Sequence, residues 1–98
     1  MAKSYEMRVK VVEIRDQEQV TDKFVKREVI GMIEGEYPEH HKFEFVQKNV
    51  DIPDTLLEGS YVTIFFNIKG RKVEGKGKGQ EDMYFTSLQG WKVEAGAE

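Results

Sequence analysis

Hydrophobic and polar positions alternate along most of this chain with a period of two. Tyr5, Met7, Val9 and Val11 interleave with Glu6, Arg8 and Lys10, the pattern of a strand with one buried face, and a strand is predicted over residues 4–15. The phase slips at Val12 and Ile14, which predicts a β-bulge or strong coiling there. Residues 15–22 (RDQEQVTD) are polar and predict a turn or loop. Phe24 to Ile33 predicts a second strand, in which Gly31 marks a bend or a close backbone approach. Gly35 and Pro38 break the run over residues 34–40, with Tyr37 as a turn anchor. Phe43 and Phe45 then alternate with Lys42 and Glu44 in a third strand.

The pattern changes over residues 49–60. Asp51 suits a cap, Pro53 a first helical turn and Gly59 a left-handed stop, while Leu56 and Leu57 supply apolar contacts. A helix of one to two turns is predicted. Period two returns in a fourth strand, with Val62, Ile64, Phe66 and Ile68 on one face and Tyr61, Thr63, Phe65, Asn67 and Lys69 on the other. After a Gly/Lys-rich stretch, residues 83–94 form a fifth strand, and the final AGAE reads as a frayed tail. The order β-β-β-α-β-β is that of the OB-fold, an all-β, five-stranded Greek-key barrel with a short helix between strands 3 and 4. That fold binds ligands on its strand 2–3 face, between the 1–2 and 4–5 loops. An SH3-like barrel has a short 3₁₀ turn before its last strand, and a sandwich needs more strands.

Length and composition narrow the function. A chain of 98 residues hides roughly 60–65% of its unfolded surface, enough for one core; a single domain is expected over residues 1–95, with 96–98 as the tail. No apolar run approaches the ~18–20 residues of a membrane span, and the N-terminus lacks a signal-peptide core, so a cytoplasmic protein without a membrane partner is expected. The absence of cysteine leaves no disulfide framework and no thiolate metal site. His40 and His41 are adjacent and point apart on a strand, with no third ligand at a suitable spacing, so no metal is expected. GxSxG, the P-loop and a GxGxxG after a strand are all missing. GKGKG (residues 75–79) lacks the GK[ST] ending and following helix of a phosphate loop. A non-enzyme without cofactors is the expectation.

The net charge of −3 does not by itself announce a nucleic-acid binder; its distribution changes that picture. Lys69, Arg71, Lys72, Lys76 and Lys78 face Glu74 alone in the 4–5 connection, and Lys23, Lys26 and Arg27 form a second basic group. Glu34, Glu36, Glu39, Asp51, Asp54 and Glu58 collect elsewhere. Single-strand binders combine a positive groove with aromatic platforms for the bases, and both ingredients are present. Phe43 and Phe66 follow the core phase, whereas Phe65 and Tyr61 fall on the opposite face. Trp91 reads either as a barrel-end plug or as a base platform. Tyr84 and Phe85 must face opposite sides of a regular strand, and the parity of Tyr84 with Lys92 makes Tyr84 the surface candidate.

FVKREVIGMIEGEYPEHHKFEF, VTIFFNIKGRKV and YFTSLQGWKVE resemble a small bacterial and phage family of unknown function that is itself similar to single-stranded DNA-binding proteins of the OB type. The resemblance spans roughly residues 20–95. It implies the OB barrel, and with it binding of single-stranded DNA, or RNA, without strong sequence preference, in replication, recombination or repair. On that reading Arg8, Lys10, Lys26, Arg27, Lys69, Arg71, Lys72, Lys76 and Lys78 contact phosphates, and Phe65, Tyr84 and Trp91 stack bases. The link between GRK and MYF is longer and richer in Lys and Gly than the resemblance leads one to expect. The plain alternative for that link is a solvated hairpin loop. The alternative for the whole chain is a protein-interaction module whose outward aromatics bury against a partner or a second copy; a homodimer or higher oligomer, or contact with replication or repair proteins, is compatible with either function.

Overall fold

The computed structural model describes residues 4–95, so most of the tail expected to fray lies outside the described residues. Six strands form: β1 (Tyr5–Ile14), β2 (Glu18–Thr21), β3 (Phe24–Ile33), β4 (Glu39–Val46), β5 (Tyr61–Val73) and β6 (Met83–Ala95). They are ordered β1-β5-β6-β4-β3-β2, and an additional β1–β3 pairing closes the sheet on itself. The five long strands make the OB barrel predicted from the alternation. Its only parallel contact among the described residues joins β4 to β6, through Phe43↔Leu88 and Glu44↔Gln89.

The phase slip in β1 has the predicted cause. Tyr5 to Lys10 pair with β5, Lys10 to Ile14 pair with β3, and the β1–β3 register shifts between Val11 and Glu13. A bulge at Val12 thus lets one strand leave one neighbour and reach the next, which is how closure is achieved. Gly31 sits at the crossing, where a Cβ would lie 2.6 Å from Val9 Cγ2; the close approach read from the sequence is real.

Alternation places Val9, Val11, Val29, Phe43, Phe45, Val62, Ile64 and Phe66 inside. The segment between the third and fourth long strands is helical as predicted, in the form of two 3₁₀ turns, Gln47–Asn49 and Ile52–Thr55. Asp51 precedes the second turn but makes no side-chain cap. Pro53 and Leu56 cover one end of the barrel, and Gly59 is left-handed at φ +92°, its N–H donating to the Val11 carbonyl.

Two departures from the sequence reading shape the outer surface. Part of the expected 15–22 loop is the short strand β2, paired with β3 through Glu18↔Lys26 and Gln19↔Val25. All four of its residues are exposed, so no buried face imprinted an alternation on it. The Gln47 side chain pins this hairpin, accepting from the Val25 N–H and donating to the Lys23 carbonyl. The second departure is the length of β5, which runs past Lys69 to Val73 and stays paired with β6, itself as long as predicted, out to Val73↔Met83. Their outer halves form a two-stranded ribbon standing off the barrel, and the radius of gyration of 15.3 Å exceeds the ~13 Å of a compact domain this size. Lys69, Arg71 and Lys72 are therefore on paired strands rather than in a loop, and only Lys76 and Lys78 lie in the connecting turn. Among the described residues no helix is long and apolar enough to cross a membrane.

Candidate nucleic-acid interface

Because Phe43 and Phe45 point inward, Lys42 and Glu44 point outward from β4, and a groove of about 1040 Å³ runs across this outer face. One wall is the β2–β3 hairpin, with Val20, Thr21 and Phe24; the other is the ribbon, with Lys69, Arg71 and Phe85. Lys42, Glu44 and Gln89 lie between them, with Lys26 beside the hairpin and His40 and His41 along β4. This is the strand 2–3 face of the barrel, flanked by the connections that the OB-fold uses for ligands.

The charge of the groove is organised from beneath by Glu28, whose carboxylate accepts from Arg15 Nη1 at 3.1 Å, Lys26 Nζ at 3.4 Å and Lys42 Nζ at 3.5 Å. Burial pushes the Glu28 carboxyl up, but Lys42 and Lys26 together outweigh it and hold it below its ordinary 4.5. A carboxylate whose folded value is depressed stabilises fully above its unfolded value, and the contribution is lost as pH falls through the folded one. The stability difference between the wild type and Glu28→Gln is therefore expected to be largest near neutral pH and to shrink below about pH 4.5, followed by urea denaturation at a series of pH values. A constant difference across that range would remove the carboxylate's charge from the explanation.

Lys69 and Arg71 contrast with that network, since neither makes an ion pair among the described residues. The Arg71 guanidinium lies over the Phe85 ring, 5.4 Å from its centroid, and presents a cation and an aromatic face together at the rim.

Of the residues singled out from the sequence, Lys26, Lys69 and Arg71 come together in the groove. Lys76 and Lys78 sit exposed at the ribbon tip. Lys72 pairs across the ribbon with Tyr84 on the face opposite Arg71, and its Nζ is 3.4 Å from Asp82 Oδ2. Tyr84 is 72% exposed but turned from the groove; Phe85 takes the groove position. Parity with Lys92 does not carry through to Tyr84, because the β5–β6 register shifts between Phe65↔Lys92 and Phe66↔Gly90. Trp91 is the extra residue, and it flips the phase of everything before it in β6.

Arg27 is engaged elsewhere. Its guanidinium binds the Asp54 carboxylate and donates to the Arg15 carbonyl, tying the second 3₁₀ turn to β3. Arg8 and Lys10 lie on the β1 side of the barrel, 5.7 and 6.0 Å from the Tyr61 ring centroid, whose hydroxyl donates to Glu34 at 2.8 Å. Phe65 and Trp91 pair with each other at 5.7 Å, and the indole N–H donates to Ser4 Oγ at 3.0 Å; neither lines the groove. Conversely, Phe24, Lys42, Glu44, Phe85 and Gln89 line it without having been singled out from the sequence. The alternation around Phe43 and Phe45 exposes Lys42 and Glu44, but which strand lies beside them is a property of closure. Among the described residues no three His, Cys, Asp or Glu side chains group as a metal site.

A closed OB barrel with a basic, aromatic-rimmed groove on its strand 2–3 face is thus the class of protein defined here. Residues 6–94 match the family described as a Domain of unknown function (DUF3127), and the chain belongs to that family. Among curated proteins none matches it significantly. In fold it is similar to the SSB domain of a Synechococcus sp. protein, at 16% identity and a TM-score of 0.67, over 96% of this chain and 94% of that one. It is also similar to the mitochondrial single-stranded DNA binding protein of S. cerevisiae. In one crystal form of that protein the identity is 5% and the TM-score 0.71, over 97% of this chain and 96% of the other. A second form gives 5% and 0.66, over 97% and 95%.

Proposed function

We propose that this chain is a single-stranded DNA-binding protein, not an enzyme, that holds a strand in the β2–β3/β5–β6 groove without reading a defined sequence. The observation that carries this is the lining of that groove, with Lys26, Lys42, Lys69 and Arg71 against Glu44 as the carboxylate. Phe85 under Arg71 and Phe24 on the facing wall offer stacking surfaces, each worth roughly 1–3 kcal/mol per base. Lys76 and Lys78 at the ribbon tip extend the positive track. The likeness in fold to a protein named for single-stranded DNA binding supports the same reading. RNA fits the same groove chemistry. Protection or presentation of strands in the cytoplasm during replication, recombination or repair is the role this binding serves.

The Phe65–Trp91 pair, 5.7 Å apart and outside the groove, favours a second, compatible use: contact with another copy of the chain or with a replication or repair protein through the β1–β5–β6 side.

The test is a fluorescence-anisotropy titration of a labelled oligonucleotide at low and near-physiological salt, with duplex DNA as the control. Single strands are expected to bind and duplex to bind far more weakly. Neutralising three to four phosphates gives a slope of log affinity against log salt of about −2 to −3, at about 0.7 per phosphate. Trp91 emission should change little, since the indole lies outside the groove. No single-strand binding even at low salt would overturn the proposal and leave the protein-interaction reading in its place.

A further inference from the structure

The groove is cationic at its walls, and its floor carries, beside Lys42, a carboxylate with no partner among the described residues. Glu44 and Gln89 are register partners across the parallel β4–β6 contact, so their side chains emerge from the same face about one strand spacing (~5 Å) apart. Both are half-buried, both line the groove, and among the described residues neither side chain makes a hydrogen bond or ion pair. Glu28, one strand away, has drawn in Arg15, Lys26 and Lys42, while Glu44 has none of them. A free carboxylate beside an idle amide is a poor place for a phosphate. A strand held by Lys69 and Arg71 on the ribbon and by Lys26 beside the hairpin keeps its backbone at the walls, since Lys42, on the floor, is turned to Glu28. Its bases then turn towards the floor.

Resting on the binding function proposed above, we propose that Glu44 and Gln89 form a base-reading pair that favours bases carrying an exocyclic amino group and disfavours thymine and uracil. A carboxylate only accepts hydrogen bonds, whereas a side-chain amide both donates and accepts. Cytosine offers its N4 amino group to Glu44 and its N3 to the Gln89 amide N–H; adenine offers N6 and N1 in the same way. Thymine offers one N3–H between two carbonyl oxygens, so a carboxylate that approaches the proton meets two repelling acceptors. The preference is for base composition rather than for a defined sequence. Acidic side chains accept from the cytosine amino group in duplex recognition by the same logic, and single strands expose that edge without competition.

Cytosine and thymine are close in size, so the decisive comparison is between labelled oligo(dC) and oligo(dT) of about a dozen nucleotides, by anisotropy on the intact chain. The wild type is expected to bind oligo(dC) about tenfold more tightly than oligo(dT), and Glu44→Gln to bring the two within about twofold, chiefly by tightening oligo(dT). Equal binding of both strands by the wild type overturns the inference while leaving single-strand binding intact. So does a Glu44→Gln variant that tightens both strands equally, which would make the carboxylate a simple repeller of phosphate. Failure of either strand to bind at low salt overturns the binding function itself, and the inference with it.

Discussion

Arg71→Glu is expected to weaken single-strand binding by about tenfold or more at near-physiological salt. The substitution removes one of the two groove cations without an ion-pair partner among the described residues, puts a negative charge where phosphate passes, and ends the guanidinium–Phe85 stacking at 5.4 Å. The salt dependence should fall with it, by about 0.7 in slope for each phosphate no longer neutralised. Arg8→Glu is the matched control, because it makes the same charge change on the β1 side of the barrel, beside Tyr61. Anisotropy titrations of both variants at several salt concentrations separate a local interaction from a change in net charge. Equal weakening in the two would mean that the strand does not depend on the ribbon wall.

The second large effect is on stability. Phe45→Ala is expected to cost about 3–5 kcal/mol, a large share of the ~5–15 kcal/mol available to a domain of this kind. Phe45 is fully buried, and its ring lies directly over Gly90, where a Cβ would come within 2.5 Å of the ring carbons. The ring is what fills the space between β4 and β6, and removing it leaves a void under their parallel pairing. Urea denaturation should show a lower midpoint with an unchanged m-value. Tyr84→Ala, at a position 72% exposed, should stay within about 0.5 kcal/mol of the wild type. A comparable destabilisation at Tyr84 would mean that the ribbon packs against something, and one of less than about 1 kcal/mol at Phe45 would mean that the barrel collapses to fill the gap.

The barrel itself was legible because burial of one face writes a period of two into each long strand. Val9 and Val11, Phe43 and Phe45, and Val62, Ile64 and Phe66 all lie in the core where their alternation put them. Even the β1 bulge announced itself, since an extra residue shifts the phase where apolar residues report it. The signal stops where burial stops. Strand β2 and the outer end of β5 are exposed on both faces, so only backbone pairing defines them, and their residues read as loop. The outer half of β6 is as exposed, but its aromatic pair Tyr84 and Phe85 still marks it as strand.

The functional surface divides along the same line. Charge segregation was enough to point to the β5–β6 connection and to Lys26, because local sequence sets which residue types lie together. Which of them meet was decided by tertiary structure. The register shift at Trp91 exchanges Tyr84 for Phe85, Asp54 claims Arg27, and closure carries Arg8 and Lys10 to another side. The same closure sets β4 beside β6, bringing Glu44 to Gln89 from 45 positions away along the chain (89 − 44). Alternation along a strand is a local consequence of one-sided burial, and one sequence carries it whole. The partner across a ladder is fixed by how several strands bulge, twist and close together, and it exists only once they have done so.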